Sequence, residues 1–248
     1  MGGARPACFP SPRETTMRLT THTWGTGDRV ALLIHGMMAD HRTWRRVGPA
    51  LADRGYQVVG VDLPGHGGSP RSSGRDGARL YGLDDMARAV AAACPSRAEV
   101  AIGHSLGALV LERAVDRGLA VDRAVYSDPA WRSEPHDLAP ARAYKHATRD
   151  EIRTANPRWE PAAVDDELAC LELWDPDTPT VLDPPPGLPA SAAGPSLVLL
   201  ADPSERIPPG GQELLRARGF ELRTVPGAGH SIHRDDFPGF MSALSGWV

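Results

Sequence analysis

Apolar and polar positions fall into two alternating textures along this chain. The run Arg29 to His35 (RVALLIH) is almost wholly apolar, as expected of a strand covered on both faces, and Gln57 to Asp62 (QVVGVD) repeats it. Between these runs Trp44, Val47 and Leu51 share one helical face, with Gly55 placed to end the helix. A second helix is predicted from about Asp84 to Cys94, with acids at its start and Leu83, Met86 and Val90 as its apolar stripe. Glu99 to Gly103 (EVAIG) reads as a buried strand, and past one serine LGALVLERAVDRG reads as a helix ending at Gly118. Val121 to Ser127 and Ser196 to Ala201 are the next strands, then a helix near Gln212 to Arg218, a strand at Glu221 to Val225 and a last helix from Asp236. Strands alternating with helices at this spacing predict an α/β fold whose central sheet is mostly parallel and flanked by crossover helices.

Beyond Asp128 the texture changes for about sixty residues into Pro-rich, Trp-containing fragments without a strand pattern. Two helices are expected there, near Asp150 to Ala155 and Ala163 to Leu173, whereas DPDTPTVLDPPPGLP carries too many prolines for regular structure. The segment, about residues 131–190, is expected to be a helical lid over the C-terminal ends of the strands, where open α/β sheets bind ligands.

Composition narrows the class. The 248 residues, 41% apolar and 23% charged, suit a single domain from Met17 to Val248, preceded by a Gly- and Pro-containing stretch, residues 1–16, expected to be a disordered tail. A net charge of -4 supplies no concentrated positive surface for nucleic acid or an anionic membrane. The three cysteines, Cys8, Cys94 and Cys170, are scattered and odd in number, so they imply neither a disulfide framework nor a metal cluster. With no signal-peptide core and no run of about 18 apolar residues, a soluble cytoplasmic protein is expected, with no metal or organic cofactor.

The chemistry concentrates at three strand ends. Gly103-His104-Ser105-Leu106-Gly107 is a G-x-S-x-G between a buried strand and an amphipathic helix. So tight a turn needs glycines on both sides, and it presents the Ser105 hydroxyl at a helix N-terminus, where unpaired N–H groups can stabilise an oxyanion. His35-Gly36-Met37-Met38 ends the first buried strand; the N–H groups of Met37 and Leu106 are the expected oxyanion donors, and His35 itself is expected to be structural. Gly227-Ala228-Gly229-His230 follows the last strand, where flanking glycines would let an imidazole approach Ser105 and accept its proton near neutral pH. His233, His104 and His66 are weaker candidates for that base. Asp62, in VDLPGHGGS, is expected to be a structural hydrogen-bond partner, because that loop has neither the register nor the lysine of a phosphate loop. Trp131, Trp159 and Trp174 could line a pocket or simply pack the lid.

The segments strand-HG, VDLPGHGGS, GHSLGA and PGAGHSIHRDDF resemble the α/β-hydrolase superfamily, especially its small lidded bacterial members, from about Met17 to the C-terminus. The resemblance implies the α/β-hydrolase fold, Ser105 as nucleophile, His230 as base, and cleavage of a small-molecule carboxylic ester or lactone through an acyl-enzyme. The superfamily also hosts C–C bond hydrolases, non-hydrolytic enzymes and non-catalytic ligand-binding proteins. Epoxide hydrolases and haloalkane dehalogenases, which use Asp at the elbow, fit Ser105 poorly. The family's usual acid position reads Ala201-Asp202-Pro203-Ser204-Glu205 here, with Ser204 where an aspartate is expected. Three carboxylates could complete the site: Asp128 directly after its strand, Asp202, or Glu205. Asp128 is the preferred assignment, since zearalenone-type lactonases place their acid one strand early in a similar way.

Overall fold

The computed structural model describes residues 17–72, 81–95, 97–132, 138–184 and 186–248. Residues 1–16, with Cys8 and the expected tail, lie outside them. Among the described residues seven strands form one sheet in the order β1-β3-β2-β4-β5-β6-β7: β1 Thr21–Trp24, β2 Arg29–Ile34, β3 Tyr56–Val61, β4 Ala98–His104, β5 Val121–Ser127, β6 Ser196–Leu200 and β7 Glu221–Thr224. Only β1, which runs against β3, is antiparallel. Its residues are mostly exposed, so the short segment carries neither an apolar run nor a clear alternation, which is why the hydrophobic pattern does not reveal it.

Side chains of a strand alternate between faces, and both faces here are covered. Leu32 and Ile34 of β2, with Val198 and Leu200 of β6, pack toward α2 (Leu83–Ala93) and α3 (Leu106–Asp116). Ala31, Leu33, Leu197 and Leu199 point the other way, onto α1 (Val47–Ala52) and α9 (Phe237–Ala243). The 3-10 turn His41–Trp44 delivers the fully buried Trp44 to that second layer. Each face therefore removes a continuous apolar surface from water at about 25 cal/mol per Å².

Between β5 and β6 lie α4 (Leu138–Tyr144), α5 (Arg149–Ala155) and α6 (Pro161–Leu173), and between β6 and β7 lies α7 (Gly211–Ala217). A separate small core of Ile152, Trp159, Val164, Leu171 and Trp174 holds the segment between β5 and β6 together. Thr148 and Glu151 start α5 with a reciprocal capping box, and Pro161 opens α6 at a position that needs no N–H. One expectation changes: the proline-rich stretch contains a 3-10 turn, Thr178–Leu182, because Pro179 sits in its first turn, where a missing N–H costs nothing. The last helix starts where expected, with Asp236 capping α9 by accepting the Gly239 N–H at 2.9 Å, and a short extra turn, α8 (Ile232–Asp235), precedes it.

Glu112 on α3 accepts the Trp131 indole N–H at 2.7 Å, and burial pushes its pKa up to about 7. The folded state therefore disfavours its ionisation, so stability falls as pH rises from the ordinary 4.5 to about 7 and levels off above. Glu112→Gln should be stabilising by about 1–3 kcal/mol near pH 8 and close to neutral near pH 4.5, as read by denaturant melts at both pH values. A pH-independent difference would contradict this.

Candidate active site

Ser105 stands alone between the end of β4 and the start of α3, with φ 51° and ψ -112°. A non-glycine residue there is strained, and the surroundings enforce it. A Cβ on Gly103 would lie 2.4 Å from the Gly107 carbonyl oxygen, and one on Gly107 would lie 2.2 Å from the Ile34 carbonyl oxygen. The glycines thus let α3 start directly against the sheet. The Ser105 N–H continues the sheet by donating to the Ser127 carbonyl at 3.0 Å. Its side chain faces a cavity of about 940 Å³.

His230 arrives on the loop after β7, and its loop is stapled to the one after β6. Asp202 N–H donates to the Ala228 carbonyl, and the Gly227 N–H donates to the Asp202 carboxylate, at 2.8 and 3.0 Å. Gly227, with φ 66°, makes the turn possible. The imidazole Nδ1 lies 2.6 Å from Oδ2 of Asp128, and Nε2 lies 3.0 Å from Oγ of Ser105. A carboxylate only accepts, so Nδ1 carries the hydrogen and Nε2 is left to accept from the Ser105 hydroxyl.

Asp128 caps the end of β5 in a left-handed conformation, φ 39°, and is 1% exposed. Its N–H extends the sheet to the Leu199 carbonyl at 2.8 Å. Its second carboxylate oxygen accepts from the Ala201 N–H at 3.3 Å and from the Ser204 hydroxyl at 2.7 Å. The structure thus brings Ser105, His230 and Asp128 into one hydrogen-bonded line. Asp202 instead serves Gly227, and the exposed Glu205 borders a separate surface depression with Gln212 and Glu213.

Met37 and Leu106 flank Ser105 on the cavity wall. Gly36 brings their two loops together, since a Cβ there would lie 3.2 Å from Cβ of Ser105, and Met38 turns the chain at φ 66°. Leu106 begins α3, where N–H groups lack intrahelical partners. His35 and the other histidines considered as the base are otherwise engaged. His35 donates through Nδ1 to the Gly36 carbonyl and accepts the Leu63 N–H through Nε2. His104, neutral because burial and the His230 and His233 rings lower its pKa, donates through Nε2 to the His230 carbonyl at 3.0 Å. His66 is buried and points its Nδ1 at the Pro64 carbonyl, and His233 stacks on Trp44.

Asp40, His41 and Asp62 bring ligand-type atoms within 4.8 Å of one another. Those atoms are already committed. Asp62 accepts from both the N–H and the ring of His41 and from the Gly68 N–H, while Asp40 holds Arg42. Burial alone would raise the Asp62 pKa; the His41 hydrogen bond, the His35 ring and the two N–H donors overcome it and bring it down to about 2. The group is a structural knot beneath the cavity loops.

Of the three tryptophans between β5 and β6, Trp159 lines the cavity, whereas Trp131 packs on Tyr126 and Phe220 and Trp174 is buried, donating to Thr178. Sequence patterning did not expose the clamp beside it. Arg234, four residues after His230, pairs with Glu167 of α6 at 2.6 Å, both side chains 7% exposed or less, and stacks 3.5 Å over the Trp159 ring. Trp159 in turn donates to Asp235 at 3.0 Å. A pair 67 residues apart leaves no periodic signal. Glu167→Ala strands the Arg234 charge and should cost about 3–5 kcal/mol in urea unfolding. A loss under about 1 kcal/mol would contradict a buried pair, since that is the range of exposed ones.

The alpha/beta hydrolase family profile matches residues 31–242, and the chain belongs to that family. Among curated relatives, a pimeloyl-[acyl-carrier protein] methyl ester esterase of Edwardsiella ictaluri is 38% identical over 93 residues, covering 38% of this chain and 33% of that protein. The matched stretch spans about a third of that relative's length. Among solved structures, an N-formylmaleamic acid deformylase from Pseudomonas putida superposes with a TM-score of 0.76 at 26% identity, covering 92% of this chain and 96% of that one. A thermophilic esterase from Thermogutta terrifontis shares the fold at a TM-score of 0.71 and 20% identity, over 92% of each chain. No helix among the described residues is long and apolar enough to cross a membrane.

Proposed function

We propose that the protein is a serine hydrolase cleaving a carboxylic ester or lactone through an acyl-enzyme. The observation that carries this reading is the unbroken line from the Ser105 hydroxyl through both nitrogens of His230 to Asp128, opening on a large cavity. Ser105 Oγ attacks the carbonyl carbon while His230 Nε2 takes its proton. Asp128 holds the tautomer that leaves Nε2 free and stabilises the imidazolium that forms. The Met37 and Leu106 N–H groups receive the negative charge on the carbonyl oxygen, at no cost of reorganisation. His230 then protonates the departing alkoxide, and water, deprotonated by the same nitrogen, releases the acid and restores Ser105.

The cavity wall is mixed. Met37, Met38, Leu106, Tyr144 and Trp159 offer apolar surface for an acyl or alcohol group, and the names of the relatives, esterases among them, point to the same reaction class. A panel of p-nitrophenyl esters of graded acyl length and of simple lactones tests the reading. Turnover that disappears in Ser105→Ala is the expected result. A protein inert to every ester and lactone would overturn the proposed substrate class, and turnover surviving in Ser105→Ala would overturn the nucleophile.

A further inference from the structure

Asp128 Oδ2 faces His230, but Oδ1 is held from elsewhere, and that second attachment has a consequence for catalysis. The loop after β6 delivers two donors to it, the Ala201 N–H at 3.3 Å and the Ser204 hydroxyl at 2.7 Å. The shorter contact is the side-chain one. It has the length of a charge-assisted O–H···O bond, which is roughly twice as strong as a neutral one. Asp128 also sits at φ 39°, a left-handed conformation uncommon for a non-glycine residue. The same β6 loop is tied to the His230 loop through Asp202. One short segment therefore sets both partners of the His230–Asp128 contact.

We propose that Ser204 is a positioning residue for Asp128: its hydroxyl fixes the carboxylate so that Oδ2 stays in line with His230 Nδ1. The geometric basis is direct, since Oγ of Ser204 touches the carboxylate oxygen opposite the one that touches His230.

The inference rests on the proposed role of Asp128, and the variants separate the two. With a p-nitrophenyl ester, Ser204→Ala should lower kcat by about 10- to 150-fold, the range expected for losing a hydrogen bond to a charged group, with KM nearly unchanged. Ser204→Thr, which keeps the hydroxyl, should recover most of the loss, and Asp128→Gly should lose far more than Ser204→Ala. Wild-type kcat in Ser204→Ala would overturn the role of Ser204 while leaving Asp128 in place. Full activity in Asp128→Gly would overturn the reading of Asp128 itself. Equal falls in kcat and thermal midpoint for Ser204→Ala and Ser204→Thr would mark a merely structural residue and also overturn the proposal.

Discussion

His230→Ala should reduce kcat on a p-nitrophenyl ester by roughly 10⁴- to 10⁶-fold while KM changes little, because the loss falls on the transition state rather than on binding. A serine hydroxyl alone is a weak nucleophile near neutral pH, and in the proposed mechanism its activation runs through one nitrogen, His230 Nε2, 3.0 Å from Ser105 Oγ. Neither neighbouring imidazole among the described residues can substitute. His104 spends its Nε2 hydrogen on the His230 carbonyl, and His233 is stacked beneath Trp44. Such residual turnover as survives would come from the oxyanion donors and the cavity. A variant retaining activity within tenfold of wild type would show that the proton goes elsewhere.

Asp128→Asn should lower kcat by about 10³- to 10⁴-fold, whereas Asp202→Asn should stay within a few-fold. An amide at position 128 offers His230 Nδ1 a donor as readily as an acceptor, and the tautomer it then selects blocks Nε2 from accepting the Ser105 proton. The Asp202 carboxylate has a different task, accepting the Gly227 N–H, which a side-chain amide oxygen can also do. The order of the two variants is therefore the discriminating result. If Asp202→Asn were the more damaging, the loop after β6, and not the end of β5, would supply the acid.

These residues were legible in the sequence to different depths. Gly103, Ser105 and Gly107 announce themselves because a sharp strand-to-helix turn can be built from few residue types, and the apolar runs on either side fix where that turn falls. His230 was legible through its glycines and its place after a strand. Asp128 is preferred over Asp202 and Glu205 by its place at the end of β5 and by a family resemblance; that its carboxylate meets an imidazole 102 residues later is tertiary information. Ser204, which stands where an aspartate is expected, proves to donate to the Asp128 carboxylate. The Arg234–Glu167 clamp and the exposed edge strand β1 left no trace, since a lone ion pair has no period and a solvated edge needs no apolar pattern. Local pattern thus encoded the elements and their ends, while the closing of loops over one another was set by packing.

The central claim is that Ser105 is the nucleophile, and labelling tests it most directly. Wild-type protein treated with a fluorophosphonate probe, digested and mapped by mass spectrometry should carry one adduct, on Ser105, with labelling lost in Ser105→Ala and strongly slowed in His230→Ala. An unlabelled Ser105 in protein that still turns over esters, or an adduct on a different residue, would contradict it.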